Sequence, residues 1–241
     1  MTALLQVDGI SKSFSGLKAM QDVSFAVPEG SIVGLIGPNG AGKTTCFNVV
    51  AGVYRADAGE VRFAGKRIDR WRADQICRAG VGRTFQLVKP FAGLTVMENV
   101  VVGALNAASG VREARAKAGE VIEQLGLGSK RDQMAASLTL PERKRLEVAR
   151  ALATGPRLLL LDEVMAGLRP TETDHMVVLF RELNAKLGLT ILLIEHVMRA
   201  VMALSSRLIV LHHGQVIASG TPQEVTRDPA VLECYLVEEA V

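Results

Sequence analysis

The chain has 241 residues, of which 49% are hydrophobic and 22% are charged, a balance that is typical of a globular domain with a hydrophobic core and excludes a disordered chain. The formal net charge of +3 is too small to favour a nucleic acid as the partner. The longest apolar runs, at 158–161 and 191–194, are far too short to span a membrane.

Three cysteines, Cys46, Cys77 and Cys234, are scattered along the sequence and show no spacing typical of a metal site. Isolated cysteines in an odd number fit reduced thiols in a cytosol. The first residues lack the basic start and apolar core of a signal peptide. We therefore expect a cytoplasmic protein, which a partner can still hold at a membrane.

The N-terminal part of the chain is predicted to form antiparallel strands. Short apolar runs at 4–7 and 23–27 are typical of strands, and a turn at 28–30 leads into the next one. The stretch 60–65 alternates polar and apolar residues, as a half-exposed strand does. We expect these strands to lie beside a nucleotide-binding core.

A glycine-rich stretch at 37–45 matches the phosphate-binding pattern G-x-x-x-x-G-K-[ST] at every fixed position. A buried strand is predicted before it, at 31–36, and a helix after it, at 45–51, which is the context that this loop requires. Glycines let backbone N–H groups surround phosphate oxygens, and the helix N-terminus favours negative charge. The sequence therefore predicts a nucleoside triphosphate site. Its predicted loop residues are Gly37, Pro38, Asn39, Gly40, Ala41, Gly42, Lys43, Thr44 and Thr45.

Within this loop, Lys43 is expected to reach the β- and γ-phosphates, and the Thr44 hydroxyl to coordinate Mg²⁺. Farther along, a short strand is predicted at 80–86, ending in the amide side chain of Gln86.

Helical periodicity then extends to about residue 155. Helices are predicted at 95–105 and at 112–125, and the basic run 143–145 is expected to be the solvated face of a further helix. This nearly all-helical block is expected to be a subdomain inserted into the core. The apolar face of the second helix consists of Ala114, Ala118, Val121, Ile122 and Leu125.

A second strong signal is the run 158–163, a buried strand with two carboxylates at its C-terminal end. Ligands of open α/β sheets bind at that end. In phosphate-loop ATPases an Asp at this point holds Mg²⁺, so Asp162 is the predicted metal ligand. Glu163 is placed to orient or deprotonate an attacking water. A solvated strand exit is the alternative, and the glycine loop makes it the weaker one.

The remaining elements are predicted from caps and apolar runs. Thr171 is expected to cap a helix that ends at 187, with an apolar core stripe. A strand is predicted at 190–194, with Glu195 and His196 directly after it. A hairpin is predicted with its turn at 212–214, and Thr221 is expected to cap the start of a last helix. By position, a site role and a structural role for His196 are equally supported. The stripe consists of Met176, Leu179, Phe180, Leu183 and Leu187.

Over essentially its whole length the chain resembles the ATP-binding subunits of ABC (ATP-binding cassette) transporters. That resemblance rests on 37–45, Gln86, 137–152, 158–163, 166–168 and His196, which follow in the family's order. A narrower similarity to the larger ATPase of branched-chain amino-acid importers rests on 82–86, 94–99 and 194–198.

The resemblance implies an α/β fold with a phosphate-loop (RecA-like) ATPase core, an antiparallel β subdomain and an inserted helical subdomain. It implies a single ABC domain over 1–241, with the core and antiparallel strands at 1–87 and 156–241 and the helical signature subdomain at 88–155.

The resemblance also implies individual roles, with ATP and Mg²⁺ as the cofactors. Phe14 stacks on adenine, and Gln86 touches Mg²⁺ and the attacking water. Glu163 is the general base, and His196 contacts the γ-phosphate. A groove near 87–99 receives a short helix of a membrane subunit.

The family's signature, Leu-Ser-Gly-Gly-Gln, contacts the nucleotide of a second cassette. Here the matching residues are Leu138, Thr139, Leu140, Pro141 and Glu142. Thr139 and Glu142 keep a capping box, but both glycines are lost, and a proline has no N–H to donate to phosphate. The loop after Glu163 also differs from the family's usual sequence. Val164 stands where the family usually has proline, and Arg169 stands where it usually has an acidic or amide residue. We expect a heterodimer with one strong and one weakened ATP site; the alternative is an ordinary homodimer.

The function implied is ATP hydrolysis that energises a membrane importer, with permease subunits, a second cassette and, indirectly, a periplasmic or extracellular binding protein as partners. The expected location is the inner face of the cell membrane, through the permease. Alternatives are an exporter cassette, such as one for lipopolysaccharide, and a soluble ABC ATPase acting in translation or DNA repair. A phosphate-loop kinase is a further alternative, against which the 137–152 run argues.

Overall fold

The structure is a computed structural model that describes residues 3–86 and 89–236. Its larger sheet has six strands in the order β10-β9-β3-β8-β7-β6, and the five from β9 to β6 run parallel, with β10 antiparallel at the edge. These strands are β3 (Ile32–Ile36), β6 (Val81–Arg83), β7 (Leu158–Asp162), β8 (Thr190–Ile194), β9 (Arg207–His212) and β10 (Gln215–Gly220).

A smaller antiparallel sheet, in the order β2-β1-β4-β5, confirms the predicted N-terminal strands. Its strands are longer than the apolar runs indicated, because polar residues on the exposed face continue the pairing. They are β1 (Ala3–Phe14), β2 (Leu17–Pro28), β4 (Ala58–Phe63) and β5 (Lys66–Arg67).

Helices cover the larger sheet. The helices of the described residues are α1 (Lys43–Val50), α2 (Ala73–Arg78), α3 (Val96–Ala104), α4 (Val111–Gln124), α5 (Leu140–Ala153), α6 (Pro170–Leu187), α7 (Met198–Leu204), α8 (Pro222–Val225) and α9 (Pro229–Leu236). None of them is both long and apolar enough to cross a membrane.

The hydrophobic core lies on both faces of the larger sheet. Successive side chains of β3 point to opposite faces. Ile32 and Ile36 pack in a cluster with buried residues of α3 to α7, whereas Val33 and Leu35 pack with α1 and the antiparallel sheet. Because both faces are covered, every residue of β3, β7 and β8 is buried, which explains their unbroken apolar sequences.

Helices α3, α4 and α5 lie between β6 and β7 in the chain and pack against one another. The predicted apolar face of α4 is confirmed. Its five residues, Ala114, Ala118, Val121, Ile122 and Leu125, are all buried.

Three predicted element boundaries are wrong. The strand expected at 60–65 ends at Phe63, because Ala64 and Gly65, with φ of 48° and 77°, form the turn to β5. The strand expected at 80–86 ends at Arg83, because the N–H of Phe85 turns to the Glu147 carboxylate and leaves the sheet. Helix α6 begins at Pro170 and is capped at Arg169, whose N–H donates to the Glu172 carboxylate at 2.8 Å, rather than at Thr171. Proline is favoured in the first helical turn, where its missing N–H has no intrahelical role.

Two predicted environments are also wrong. Leu187, expected in the core stripe of α6, is 49% exposed because it lies in the last turn of the helix. The basic run 143–145 is not a solvated face. Lys144 is only 4% exposed and donates to the backbone of Glu163.

Candidate nucleotide site

The site lies at the carboxyl edge of the larger sheet. Because β6, β7, β8, β3 and β9 are parallel, the segments that follow them meet at one edge. The glycine loop follows β3, Gln86 follows β6, Glu163 follows β7 and His196 follows β8. The topology thus brings together residues that are far apart in the sequence.

The glycine loop fits closely between β9 and β2. Gly37 and Gly42 have positive φ angles of 144° and 102°. A Cβ atom on Gly37 would lie 2.0 Å from the carbonyl oxygen of Leu211, and one on Gly42 would lie 2.5 Å from that of Ala19. Glycine is therefore required at both positions for two independent reasons, conformation and space.

Lys43 is the first residue of α1 and is 6% exposed. Its ammonium donates to the carbonyl oxygens of Gly37 and Pro38, at 2.6 and 2.7 Å. These bonds fold the side chain back over the loop that it belongs to. The charge is therefore held at the place where the loop predicts the terminal phosphates.

Asp162 ends β7 and is 1% exposed. Its Oδ2 accepts a hydrogen bond from Arg83 at 3.1 Å, and its N–H donates to the Thr84 hydroxyl at 3.0 Å. Burial raises the pKa of Asp162, although the hydrogen bond from Arg83 and its positive charge oppose the shift. Among the described residues Oδ1 has no partner. Thr44 and Asp162 line the same cavity, and a buried, unpartnered carboxylate oxygen fits the oxygen ligation that Mg²⁺ prefers.

Glu163 is contacted by two of the other predicted site residues. The Gln86 amide donates to its Oε2 at 2.8 Å, and Nε2 of His196 lies 2.9 Å from its Oε1. Its backbone is left-handed, with φ of 50°, which is uncommon for a residue with a side chain. The carboxylate is thus held between an amide and an imidazole.

A cavity of about 650 Å³ is lined by Phe14, the loop residues 39–45, Gln86 and Glu163. Asp162 lines a neighbouring cavity, which shares Thr44 and Gln86 with the first, and His196 lines neither. The Phe14 ring stands edge-on to that of Tyr54, with centroids 5.1 Å apart, so the ring is positioned by a second aromatic. A cavity lined by an aromatic ring, a glycine loop and a carboxylate has the chemistry of a nucleotide site.

The five signature residues do not line this cavity. Thr139 caps α5, and the Glu142 carboxylate accepts both its N–H at 2.8 Å and its hydroxyl at 2.9 Å. Leu138 is buried, whereas Leu140 is 45% exposed and Pro141 occupies the first turn. The start of α5 therefore presents an apolar side chain and a residue without an N–H.

Sequence reasoning missed a half-buried arginine, three buried charged residues and one histidine near the site: Arg83, Lys144, Glu147, Glu195 and His213. Arg83 had a detectable signal, since a charged side chain in a short buried strand requires a partner. His213 lies in the predicted hairpin turn at 212–214, as expected, but it also lines the cavity, which we did not predict. The buried positions of Lys144 and Glu195 had no signal in the local pattern.

Glu195 is almost completely buried beside the segment that follows Glu163. Its Oε1 accepts the N–H of Met165 at 2.7 Å. Burial raises the pKa of Glu195 to about 7; the Met165 hydrogen bond and the charge of Lys144 oppose the shift, and the charge of Glu163 adds to it. This carboxyl therefore changes its charge near neutral pH.

A glycine loop that feeds a helix, opposite two carboxylates at the carboxyl edge of a parallel sheet, defines a phosphate-loop ATPase. Comparison with known proteins agrees: the family model described as ABC transporter matches residues 20–166, and the model described as Branched-chain amino acid ATP-binding cassette transporter matches 215–236. The chain belongs to the ATP-binding subunits of ABC transporters; it binds ATP and is an ATPase.

Two relatives are similar over almost their whole length. The chain is 38% identical to the high-affinity branched-chain amino acid transport ATP-binding protein BraF of Pseudomonas aeruginosa, with 98% of each chain covered. It is 40% identical to the corresponding protein LivG of Salmonella typhimurium, again with 98% of each covered.

Among solved structures, the ADP conformation of MJ1267, an ATP-binding cassette of an ABC transporter, has a TM-score of 0.89 and 33% identity, with 98% of this chain and 99% of that chain covered. The predicted fold class, a phosphate-loop core with an antiparallel sheet and inserted helices, is confirmed.

Proposed function

We propose that the chain is the ATP-hydrolysing subunit of a membrane importer for branched-chain or related amino acids. The proposed substrate class rests on one observation. The segment 215–236 matches the branched-chain amino acid family model, in addition to the general match to the ABC transporter model. The names of BraF and LivG support the same class. This function would hold the chain at the inner face of the cell membrane through a permease.

The chemistry within this chain's own pocket is proposed as follows. Backbone N–H groups of 37–45 and the Lys43 ammonium bind the β- and γ-phosphates, and Phe14 stacks on adenine. The Thr44 hydroxyl, the Gln86 amide oxygen and Oδ1 of Asp162 would hold Mg²⁺. When bound, Mg²⁺ neutralises charge that develops on the phosphate oxygens.

Glu163 is proposed to accept the proton of the attacking water. The amide of Gln86 and the imidazole of His196 hold its carboxylate in place, at 2.8 and 2.9 Å. His196 is also proposed to contact the γ-phosphate; its imidazole lies beside Glu163 and is 47% exposed. In this arrangement Lys43, Glu163 and His196 are the catalytic residues.

The chain is proposed to work as one of two cassettes that close over ATP, with each ATP between one glycine loop and the other chain's signature helix. The proposed division has the core at 1–87 and 156–241 and the signature subdomain at 88–155. Exposed Leu140 and N–H-free Pro141 at the start of α5 support a partner cassette of different sequence, because this helix start is poorly suited to bind a phosphate. Homodimerisation is the alternative.

A groove beside β6 is the proposed docking site for the permease. It has a volume of about 700 Å³, and its inner part is lined by Thr44 and Asp162 of the nucleotide site. Its other lining residues include Phe85, Val102 and Arg150, and of the described residues 89–99 Lys89 alone lines it. Phe85 and Val102 are large exposed apolar residues, which suit contact with a helix. Of the predicted groove residues 87–99, the first two lie outside the described residues.

The experiment is co-expression of the tagged chain with the permeases, the second cassette and the binding protein encoded beside it, followed by purification in detergent and reconstitution into liposomes. We expect a stable complex that moves labelled leucine, isoleucine or valine from the compartment opposite the cassettes to the cassette side, driven by ATP. Copurification with lipopolysaccharide-exporting membrane proteins, or transport of no amino acid, would contradict the proposal.

The choice between heterodimer and homodimer is tested separately with the purified chain. A heterodimeric cassette is expected to show little ATPase activity alone and to gain activity when the sister cassette is added. Near-normal activity that rises with the square of the chain's concentration would support the homodimer instead.

A further inference from the structure

We propose that Lys144 is a positioning residue for Glu163, so that α5, whose N-terminus faces a partner's nucleotide in the proposed dimer, also acts on this chain's own ATP site. This inference rests on the proposed role of Glu163 as the general base. It adds to that role a link between the signature helix and the catalytic carboxylate within one chain.

The contact is direct and buried. Lys144 lies in α5, is 4% exposed, and donates from Nζ to the backbone carbonyl oxygen of Glu163 at 3.0 Å. A hydrogen bond from a charged donor is stronger than one between neutral groups, and burial excludes competing water. The ammonium of Lys144 is therefore held against the carbonyl oxygen of Glu163.

That carbonyl belongs to a residue in an unusual conformation. Glu163 has φ of 50°, a left-handed backbone that residues with side chains rarely adopt unless their surroundings hold them there. On one side its N–H donates to the carbonyl oxygen of Ile194 at 2.9 Å; on the other its carbonyl accepts from Lys144 and, at 3.2 Å, from the N–H of Ala166. Farther along, the Glu195 carboxylate accepts the N–H of Met165. Four contacts thus hold this short segment.

The backbone conformation decides where the carboxylate points. In the left-handed conformation the Glu163 carboxylate reaches both Gln86 and His196, at 2.8 and 2.9 Å. Without the charged donor, the carbonyl of Glu163 keeps only the longer bond from the N–H of Ala166, at 3.2 Å, and Glu163 can relax toward the ordinary right-handed or extended region. The carboxylate would then leave its place between the amide and the imidazole. We expect this to impair proton transfer and not ATP binding, because Lys144 lines no part of the nucleotide cavity.

The position of Lys144 in α5 supplies the link to the second site. It lies four residues after Leu140, where the helix begins, which is about 6 Å along the helix axis. A helix moves as a rigid element over this distance. A displacement of the α5 N-terminus on closure of the dimer is therefore transmitted to the Glu163 carbonyl.

The test uses the complex of this chain with the second cassette and the permeases, with Lys144→Met, Lys144→Arg or Lys144→Gln in this chain. For Lys144→Met we expect kcat for ATP hydrolysis to fall roughly 10- to 100-fold, because one charged hydrogen bond is lost. We expect the affinity for ATP to change by no more than about twofold. Lys144→Arg keeps a charged donor and is expected to restore kcat to within about threefold, whereas Lys144→Gln, with a shorter neutral donor, is expected to be intermediate.

Lys117→Met is the matched control. Lys117 lies in α4 and donates to the carbonyl oxygen of Ala107 at 2.8 Å, so the change also removes a bond from a lysine to a backbone carbonyl, together with an exposed ion pair to Glu113. We expect unchanged kcat. If Lys144→Met does not fold, the Arg and Gln variants decide the question: equal kcat in both and in the parent chain would overturn the proposal, and the order parent, Arg, Gln would support it.

A second measurement separates this inference from the role of Glu163 itself. In a Glu163→Gln background, Lys144→Met is expected to cause no further loss of turnover, because the carboxylate that it positions is gone. An additional loss of the full size would mean that Lys144 acts elsewhere. If Glu163→Gln alone keeps normal turnover, the proposed base is wrong, whereas normal turnover of Lys144→Met with an inactive Glu163→Gln overturns only the positioning role.

Discussion

Arg83 and Asp162 form a buried ion pair, with Nη2 of the guanidinium 3.1 Å from Oδ2 of the carboxylate and side-chain exposures of 9% and 1%. The same guanidinium donates from Nη1 to the Asn48 side chain in α1 at 2.6 Å. Arg83 therefore connects three elements, the strand before Gln86, the strand that carries Asp162 and the helix that follows the glycine loop. It also occupies one oxygen of Asp162, whereas the other, Oδ1, has no partner among the described residues.

Arg83→Met is expected to lower the free energy of unfolding by about 3–5 kcal/mol, because it leaves the Asp162 carboxylate buried without its charged partner. The measurement is urea unfolding followed by circular dichroism. The control is Arg199→Met, which removes a surface ion pair with Asp174 (3.0 Å) and is expected to cost less than about 1 kcal/mol. Similar losses in the two variants would show that the pair at Asp162 has no special weight.

Lys43→Ala is expected to weaken ATP binding roughly 10- to 100-fold and to abolish most turnover, because charged hydrogen bonds to phosphate are lost. It also removes the two bonds that Lys43 donates to the carbonyls of Gly37 and Pro38. Binding of a fluorescent ATP analogue and phosphate release measure the two effects. Lys66→Ala, on an exposed strand, serves as the control. Unchanged hydrolysis by Lys43→Ala would reject the assignment of the site.

Glu163→Gln is expected to bind ATP with nearly normal affinity and to hydrolyse it roughly 10²- to 10⁴-fold more slowly, because an amide cannot accept the proton of the attacking water. A stalled ATP complex should accumulate, detectable as retained nucleotide after gel filtration. The control is Glu182→Gln, which removes an exposed carboxylate in α6 that pairs with Lys186. Normal turnover by Glu163→Gln would mean that another group is the base.

Glu195→Gln is expected to make the protein more stable at pH 8 and to flatten its dependence of stability on pH. The pKa of Glu195 is raised from 4.5 to about 7 in the folded protein, so the folded state binds this proton more tightly than the unfolded state does. Its contribution to stability is fully present below about pH 4.5 and is lost as the pH rises to about 7. The loss is on the order of 3 kcal/mol.

The measurement is the melting temperature of the parent chain and of Glu195→Gln between pH 5 and pH 8. Glutamine keeps an oxygen that can accept the N–H of Met165, so the change isolates the charge. We expect the two proteins to converge toward pH 5 and the variant to melt higher at pH 8. A variant that is less stable than the parent at every pH would contradict the prediction.

Gly103→Ala tests the packing of α3 on α5. A Cβ atom on Gly103 would lie 2.2 Å from the carbonyl oxygen of Arg150, so the helices must separate, at a cost of about 1–3 kcal/mol. Gly119→Ala in α4 is the matched control, because the nearest atom to its Cβ would be the Met97 methyl at 4.0 Å. That change is expected to stabilise the protein by about 0.5–1 kcal/mol, since alanine favours helix. Unfolding in urea distinguishes the opposite signs.

Much of the fold could be predicted because its signals are local. The glycine loop at 37–45 and the unbroken apolar runs of β3, β7 and β8 reflect conformational and burial requirements that act within a few residues. The predicted hairpin around 212–214 and the cap at Thr221 are confirmed for the same reason. The predicted strand end at Gln86 and the predicted helix cap at Thr171 were wrong. The distant Glu147 carboxylate accepts the N–H of Phe85, so that the strand ends earlier, and Pro170 begins the helix.

The sequence by itself determined the family, the phosphate loop and the carboxylates at the sheet edge, because motifs and alternation patterns are written in consecutive residues. Only the tertiary structure decided that Arg83 pairs with Asp162, 79 positions away, and that Lys144 is buried against the backbone of Glu163. A helix pattern indicates which residues share a face, but not which distant carbonyl or carboxylate meets that face. Long-range contacts of single polar side chains leave no periodic trace, and in this protein they are the contacts that hold the catalytic groups in place.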